Sequence, residues 1–159
     1  MNNREYILDW YRNHIWTRPK PSKVCDGVGS FAIRDIPKGT SLYDLADKSV
    51  SAWISWEKIS KLPNGVIKLL YDTQPQLGSR INEMDRWNPS DGPIWAYTRK
   101  GFNWQTTWFF QNHSDNPNVD CFTTKDPKMF TLVANRDIEE GEELFESYDS
   151  YIDEWMKIS

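Results

Sequence analysis

At 159 residues and a formal charge of −4, the chain has the size of one domain and lacks the basic excess of a broad nucleic-acid binder. Hydrophobic content is only 38%, but nine Trp among 14% aromatics can supply a core through a few bulky rings. Apolar runs are too short for a transmembrane helix, and the start "MNNREYILDWYRNH" is too polar for a signal peptide. Cys25 and Cys121, far apart, read as free thiols of a reducing, intracellular compartment, and with two His they leave too few ligands for a zinc site.

Residues 4–16, "REYILDWYRNHIW", place apolar side chains near helical spacing and predict a short helix, which "TRPKPSK" breaks through its prolines. "VGSFAIRDIPKGTSLYDL" predicts two short strands about a corner at Lys38-Gly39. Residues 55–71, "SWEKISKLPNGVIKLLY", predict helix with a break at Pro63-Asn64-Gly65, and 72–92 are rich in turn formers and predict a loop. "PIWAYTRKGFNWQTTWFF" is strand-like, "MFTLVANRDIEEGEELFESY" predicts strand-turn-strand, and "DSYIDEWMKIS" a short C-terminal helix or tail.

The segment "AIRDIPKGTSL" at 32–42 matches "ANRDIEEGEEL" at 134–144 at Ala, Arg, Asp, Ile, Gly and Leu. The physical reading is one β-turn unit used twice, with Asp35 and Asp137 bonding within their turns and Gly39 and Gly141 taking positive φ. The two copies bracket a β-rich domain that carries a helical insert.

"FFQNHSDNPN", at 109–118, concentrates His, Ser and Asp in one stretch. His113, Ser114 and Asp115 are neighbours in sequence, whereas a catalytic triad converges from separate segments; a single His with Asp115 and Asp120 is also a poor metal site. The turn-forming backbone of Asn112 to Asn118 points instead to a tight, irregular loop after a strand, exposing amide and carbonyl groups that can read a purine edge or a charged ligand. "DGVGSFA", Asp26 to Ala32, is a Gly-x-Gly loop before a strand, without the third glycine or the helix of a dinucleotide fingerprint. Tyr148 and Tyr151, in "GEELFESYDSY", taken alone read as half-buried packing residues.

Taken in order, "GVGSFA", the helical insert, "NHSDNPN" and "GEELFESY" resemble the SET-domain protein-lysine methyltransferases, from about Val24 to Tyr151. The lack of a C-terminal cysteine cluster and the small size are similar to zinc-free, stand-alone members of bacterial or viral type. The resemblance implies a mainly β fold, a SET-type β-clip of several small sheets with a C-terminal pseudoknot. It divides the chain into a helical flank at 1–20, a SET domain at 21–151 with a variable insert at about 44–105, and a tail at 152–159. It implies S-adenosylmethionine as cofactor, approached by the backbone of Asp26, Gly27, Val28 and Gly29 and held by Asn112 and His113. Tyr148 takes the catalytic tyrosine position beside the donor. Tyr97, Phe110, Tyr151 and Trp155, with Trp104, become candidate walls of a lysine channel, and the partner becomes a lysine-bearing protein or peptide. No metal, membrane or nucleic acid is implied.

Three positions depart from the family pattern. Asp115 stands where cysteine is common, and Glu146 and Ser147 stand where an aromatic and an acid are frequent, which bears on how many methyl groups are added. A catalytically inactive SET-like module that binds a lysine-bearing partner is the alternative; retention of Asn112, His113 and Tyr148 favours the enzyme. A purely structural β-clip domain would explain the repeat but neither the Asn-His loop nor Tyr148.

Overall fold

The computed structural model of the chain describes residues 1–44, 46–73, 94–98, 110–123 and 130–149. In chain order its elements are α1 (Asn3–His14), β1 (Thr17–Pro21), β2 (Val28–Ala32), β3 (Val50–Ile54), α2 (Trp56–Ile59), α3 (Asn64–Thr73), β4 (Ile94–Thr98), β5 (Asn112–His113), β6 (Val119–Thr123), β7 (Phe130–Ala134) and β8 (Glu143–Glu146). They fall into two units, Met1–Ile15 with Leu45–Asn103, and Trp16–Asp44 with Trp104–Ser159. Several small sheets and few helices bear out the mainly β expectation.

In the first unit α1 begins with a capping box: Asn2 Oδ1 accepts from the Glu5 amide at 3.0 Å, and Glu5 Oε2 accepts from the Asn2 amide at 2.9 Å. These bonds satisfy donors that a helix N-terminus otherwise leaves open, an arrangement worth about 1 kcal/mol. Ile7, Trp10 and Tyr11 recur at helical spacing and bury one face of α1, which packs on β3 and β4. The Tyr11 hydroxyl donates to Tyr97 O at 2.9 Å and accepts from Tyr97 N at 3.0 Å, tying the helix to β4. β3 and β4 pair antiparallel. The expected helical stretch at 55–71 is broken at Pro63 as anticipated, giving α2 and α3. The loop expected at 72–92 falls mostly outside the described residues, as do 99–109 of the strand-like stretch and the tail from 150 onward.

The second unit holds a four-stranded sheet of order β1-β2-β8-β5 and a two-stranded sheet of β6 and β7. "TRPKP" ends the helix as expected, yet itself forms β1, opposite β2 from Thr17↔Ala32 to Pro21↔Val28. Two prolines are tolerated because β1 is the sheet edge, where a missing N–H breaks no further ladder. β8 lies between β2, antiparallel, and β5, parallel, so the segment that leads to Tyr148 threads beside the Asn-His segment as the resemblance implied. Asn118 completes this: its side chain donates to Glu143 O at 2.9 Å and accepts from the Phe145 amide at 2.8 Å. Ala32, Ile36, Leu42, Tyr43, Val119, Leu132, Ala134, Ile138 and Leu144 form the core beneath.

The repeat proves to be a reciprocal structure. Ile36 and Ile138 exchange both backbone bonds, at 2.8 and 2.9 Å, while Gly39 N donates to Ala134 O and Gly141 N to Ala32 O. Gly39 and Gly141 take the expected positive φ, 84° and 87°. The aspartates do not bond within their own turns. Asp35 Oδ1 accepts from Glu140 N at 2.9 Å and Asp137 Oδ1 from Lys38 N at 2.8 Å, so each copy caps the other. The two turns face each other antiparallel, which brings each carboxylate nearer to its counterpart's amides. The second strand expected after Lys38-Gly39 reduces to an isolated bridge at Ser41, and a further isolated bridge lies before the corner at Ile36.

Candidate functional site

β8 carries an acid whose neighbours come from three segments. Glu143 is 3% exposed. Its Oε1 accepts from Ser22 Oγ at 2.7 Å and Asn112 Nδ2 at 3.1 Å, and its Oε2 from Lys23 N at 2.9 Å. Ser22 N in turn donates to Gly27 O at 2.9 Å, closing the 22–27 loop on itself. Gly29 sits directly over the carboxylate: a Cβ there would lie 2.1 Å from Oε1. That glycine is required by close approach, not by its φ. A buried carboxylate is tolerated only when its acceptor capacity is met, and three donors meet it here.

Asn112, on β5, bridges this acid and the Gly-x-Gly segment. Its Nδ2 also faces Ser22 Oγ at 3.2 Å and Val28 O at 3.3 Å, while Oδ1 faces the exposed Cys25 thiol, whose Sγ lies 3.7 Å away. The amide nitrogen is thus surrounded by oxygens, and the amide oxygen faces the outer side of the loop. The sequence reading of "DGVG" as loop is corrected in part, because Val28 and Gly29 already belong to β2. Asn112 and His113 likewise form strand β5; the tight turn follows them, where Asn116 N donates to Ser114 Oγ at 3.1 Å.

His113 and Tyr148 are brought together. The Tyr148 amide donates to His113 Nδ1 at 3.1 Å, so the neutral ring carries its proton on Nε2, which faces Asp115 Oδ1 at 3.3 Å. The Asp115 side chain is fully exposed and takes no other part in the loop's described bonding. The rings of His113 and Tyr148 lie 5.3 Å apart, and the Tyr148 hydroxyl donates to Gln111 O at 2.7 Å. Partial burial, then the nearby Glu146 carboxylate and Cys25, raise the Tyr148 pKa above the ordinary tyrosine value, so it is a neutral phenol at physiological pH. Behind it runs a buried polar row: Gln111 Nε2 donates to Tyr43 OH at 3.0 Å, and Tyr43 OH lies 3.3 Å from Ser30 Oγ. Glu146 itself is 5% exposed.

Of the other sequence-derived candidates, Asp26 and Gly27 lie in the loop before β2, and Gly27 has a Cβ direction open to ordinary contact with Cys25 at 3.4 Å. Phe110 is exposed and immediately precedes Gln111. Tyr97 belongs to β4 of the other unit. Tyr151, Trp155 and Trp104 lie outside the described residues. Beside Ser147, a cleft of about 260 Å³ is lined by Pro117, Val119, Asp120, Cys121, Phe122 and Ser147. Sequence reasoning missed Ser22, Gln111, Tyr43 and, above all, Glu143. The only signal for Glu143 was its place on a strand beside core Leu144, in a chain that also carries the Gly-x-Gly segment.

The sequence matches the family model described as SET domain over residues 27–149. Among solved structures it is similar to a crystal structure of a Plasmodium falciparum protein provisionally designated a histone methyltransferase. That likeness has 18% identity, covers 84% of this chain and 92% of the other, and has a TM-score of 0.40. No curated protein sequence matches the chain.

Proposed function

Because the chain belongs to the SET-domain family, we propose that it is a protein-lysine N-methyltransferase using S-adenosylmethionine. The observation that supports this most directly is the convergence of Asn112, the Gly-x-Gly segment, His113 and Tyr148 through the bonds of Glu143 and β8. The donor set fits a ligand with an amino-acid end. Asn112 Oδ1 is an acceptor at the outer side of the loop, suited to an ammonium, and the main chain of Asp26 to Gly29 runs alongside without bulky side chains at the glycines. S-adenosylmethionine, when bound, supplies a methyl group activated by its sulfonium.

The chain's own part is alignment, desolvation and control of a proton. In-line displacement demands that the attacking amine, the methyl carbon and its leaving group be collinear, in a site free of water. The amine must be neutral, and an ordinary lysine at pKa ~10.4 costs roughly 4–5 kcal/mol to deprotonate at pH 7. Burial beside a cation lowers that cost by desolvation and like-charge repulsion, so no strong general base is required. Tyr148, fixed by Gln111 O and kept protonated, holds a hydroxyl whose lone pairs can orient the amine. The cleft beside Ser147, with Phe122 exposed on its wall, offers apolar surface to a lysine stem. Action in a reducing, intracellular compartment is part of this reading, and the exposed Cys25 thiol accords with it.

The test is calorimetric titration with S-adenosylmethionine followed by a radiolabelled-methyl assay on cell lysate with mass-spectrometric mapping of the labelled site. Saturable binding with label on lysine is expected. No binding heat would refute the cofactor assignment, and binding without transfer would assign the inactive-module alternative.

A further inference from the structure

We propose that Glu143 is a positioning residue that decides which end of the Asn112 amide faces the ligand, and so makes the site selective for a donor bearing an α-ammonium. This rests on the reading of Asn112 as a holder of the methyl donor's amino-acid end. Asn112 Nδ2 lies 3.1 Å from Glu143 Oε1, 3.3 Å from Val28 O and 3.2 Å from Ser22 Oγ. Were the amide reversed, its oxygen would face a carboxylate and a carbonyl with no proton between them. The Ser22 hydroxyl cannot relieve this, because it donates to Glu143 Oε1 at 2.7 Å and accepts from Val24 N at 3.1 Å. The buried charge therefore holds Nδ2 inward and Oδ1 outward, toward the exposed Cys25 side. An outward oxygen accepts from an ammonium; an outward NH₂ would repel it and favour a carboxylate instead.

Glu143→Gln removes that constraint while keeping the shape. Lys23 N requires an oxygen at its own position, 2.9 Å from Oε2. The new carboxamide thus meets it with its oxygen and turns its NH₂ toward Asn112. Two NH₂ groups cannot face each other, and the proton that the new carboxamide offers at 3.1 Å outweighs the Val28 carbonyl at 3.3 Å, so the Asn112 amide reverses and presents its donors outward.

The experiment compares binding of S-adenosylmethionine with that of its analogue lacking the α-amino group, to wild type and to Glu143→Gln, by calorimetry. Wild type is expected to prefer the aminated ligand. Glu143→Gln should lose roughly ten- to hundredfold affinity for it, the range of one hydrogen bond to a charged group, with less than about threefold change for the deaminated analogue. Equal weakening of both ligands would show a purely structural role and overturn the proposal, as would no change in either. Independently of any ligand, the Asn112 side-chain amide protons of the wild type should be protected from solvent exchange in NMR spectra. Exchange at the free rate would overturn the proposal even if Glu143→Gln failed to fold. If wild type binds neither ligand while those protons are protected, the donor assignment falls and the orientation by Glu143 stands.

Discussion

Gly29→Ala concentrates the physics of the site in one methyl group. The added Cβ would stand 2.1 Å from Glu143 Oε1, 2.8 Å from Cδ and 3.2 Å from Cγ. Ordinary contact needs about 3.5 Å, so the carboxylate must retreat by more than about 1 Å. It cannot do so while Oε1 keeps Ser22 Oγ at 2.7 Å and Asn112 Nδ2 at 3.1 Å. Hydrogen bonds to a charged group are each worth about 1.5–3 kcal/mol net, and partial replacement by water puts the combined loss at about 2–4 kcal/mol. At roughly 2–4 °C per kcal/mol for a domain of this size, the Tm should fall by roughly 5–15 °C. Backbone strain does not confuse the result, because among the described residues only Gly39 and Gly141 have positive φ. Gly27→Ala is the control: its Cβ meets only Cys25 Sγ at 3.4 Å, and its Tm should stay within about 2 °C of wild type. Circular-dichroism melts of the three proteins decide the matter. A Gly29→Ala melt that coincides with the control would show that Glu143 is free to move, and the packing argument would fail.

Tyr148→Phe removes the hydroxyl that bonds Gln111 O and should lower methyl transfer about 10²-fold, with S-adenosylmethionine affinity within about threefold in titration. Asn112→Ala should instead weaken that affinity roughly ten- to hundredfold while the protein stays folded by circular dichroism. Asp35→Ala and Asp137→Ala should each cost about 1 kcal/mol in urea denaturation, because each removes one exposed carboxylate–amide bond to the opposite turn. The double variant measures whether the two turns are coupled, since independent bonds would give a simple sum. Stability should also follow two titrations. The Arg136 hydrogen bond holds Glu142 below its ordinary pKa, so in that window the unfolded chain binds the extra proton; stability present above it is lost as pH falls. Tyr148 is shifted upward, so the folded chain holds its proton longer; that contribution is full below the ordinary tyrosine pKa and is lost as pH rises through the folded one. Urea midpoints across pH, with Glu142→Gln and Tyr148→Phe flattening the acid and alkaline limbs respectively, check both signs.

Motifs built on backbone demands were legible in the sequence. Gly39 and Gly141 announced turns because few other residues tolerate their φ, and Pro63 announced the break between α2 and α3 because it removes a donor. Asn112, His113 and Tyr148 were legible as a set, through order and spacing. Glu143 was not, because "GEEL" reads as a solvated acidic pair, and only the pairing of Phe31 with Glu143 across β2 and β8 shows that its side chain ends beneath Gly29. The crossed bonding of Asp35 and Asp137 was hidden for the same reason: either aspartate has a plausible local partner, and long-range register alone selects the distant one. Two prolines in "TRPKP" argued against a strand, since edge position is a property of the sheet and not of the segment.

The contacts of Glu143 with Ser22 and Lys23 join residues 121 and 120 positions apart, and its contact with Asn112 spans 31. Such closures come late in folding, because loop entropy is spent before the contacts repay it. A ligand that requires all three segments can therefore recognise only the fully assembled second unit, with no affinity for partly folded forms. Such a ligand, at free concentration L, stabilises the fold by RT ln(1 + L/Kd), undiminished by binding to unfolded forms, so a thermal-shift titration becomes a gauge of occupancy at this site.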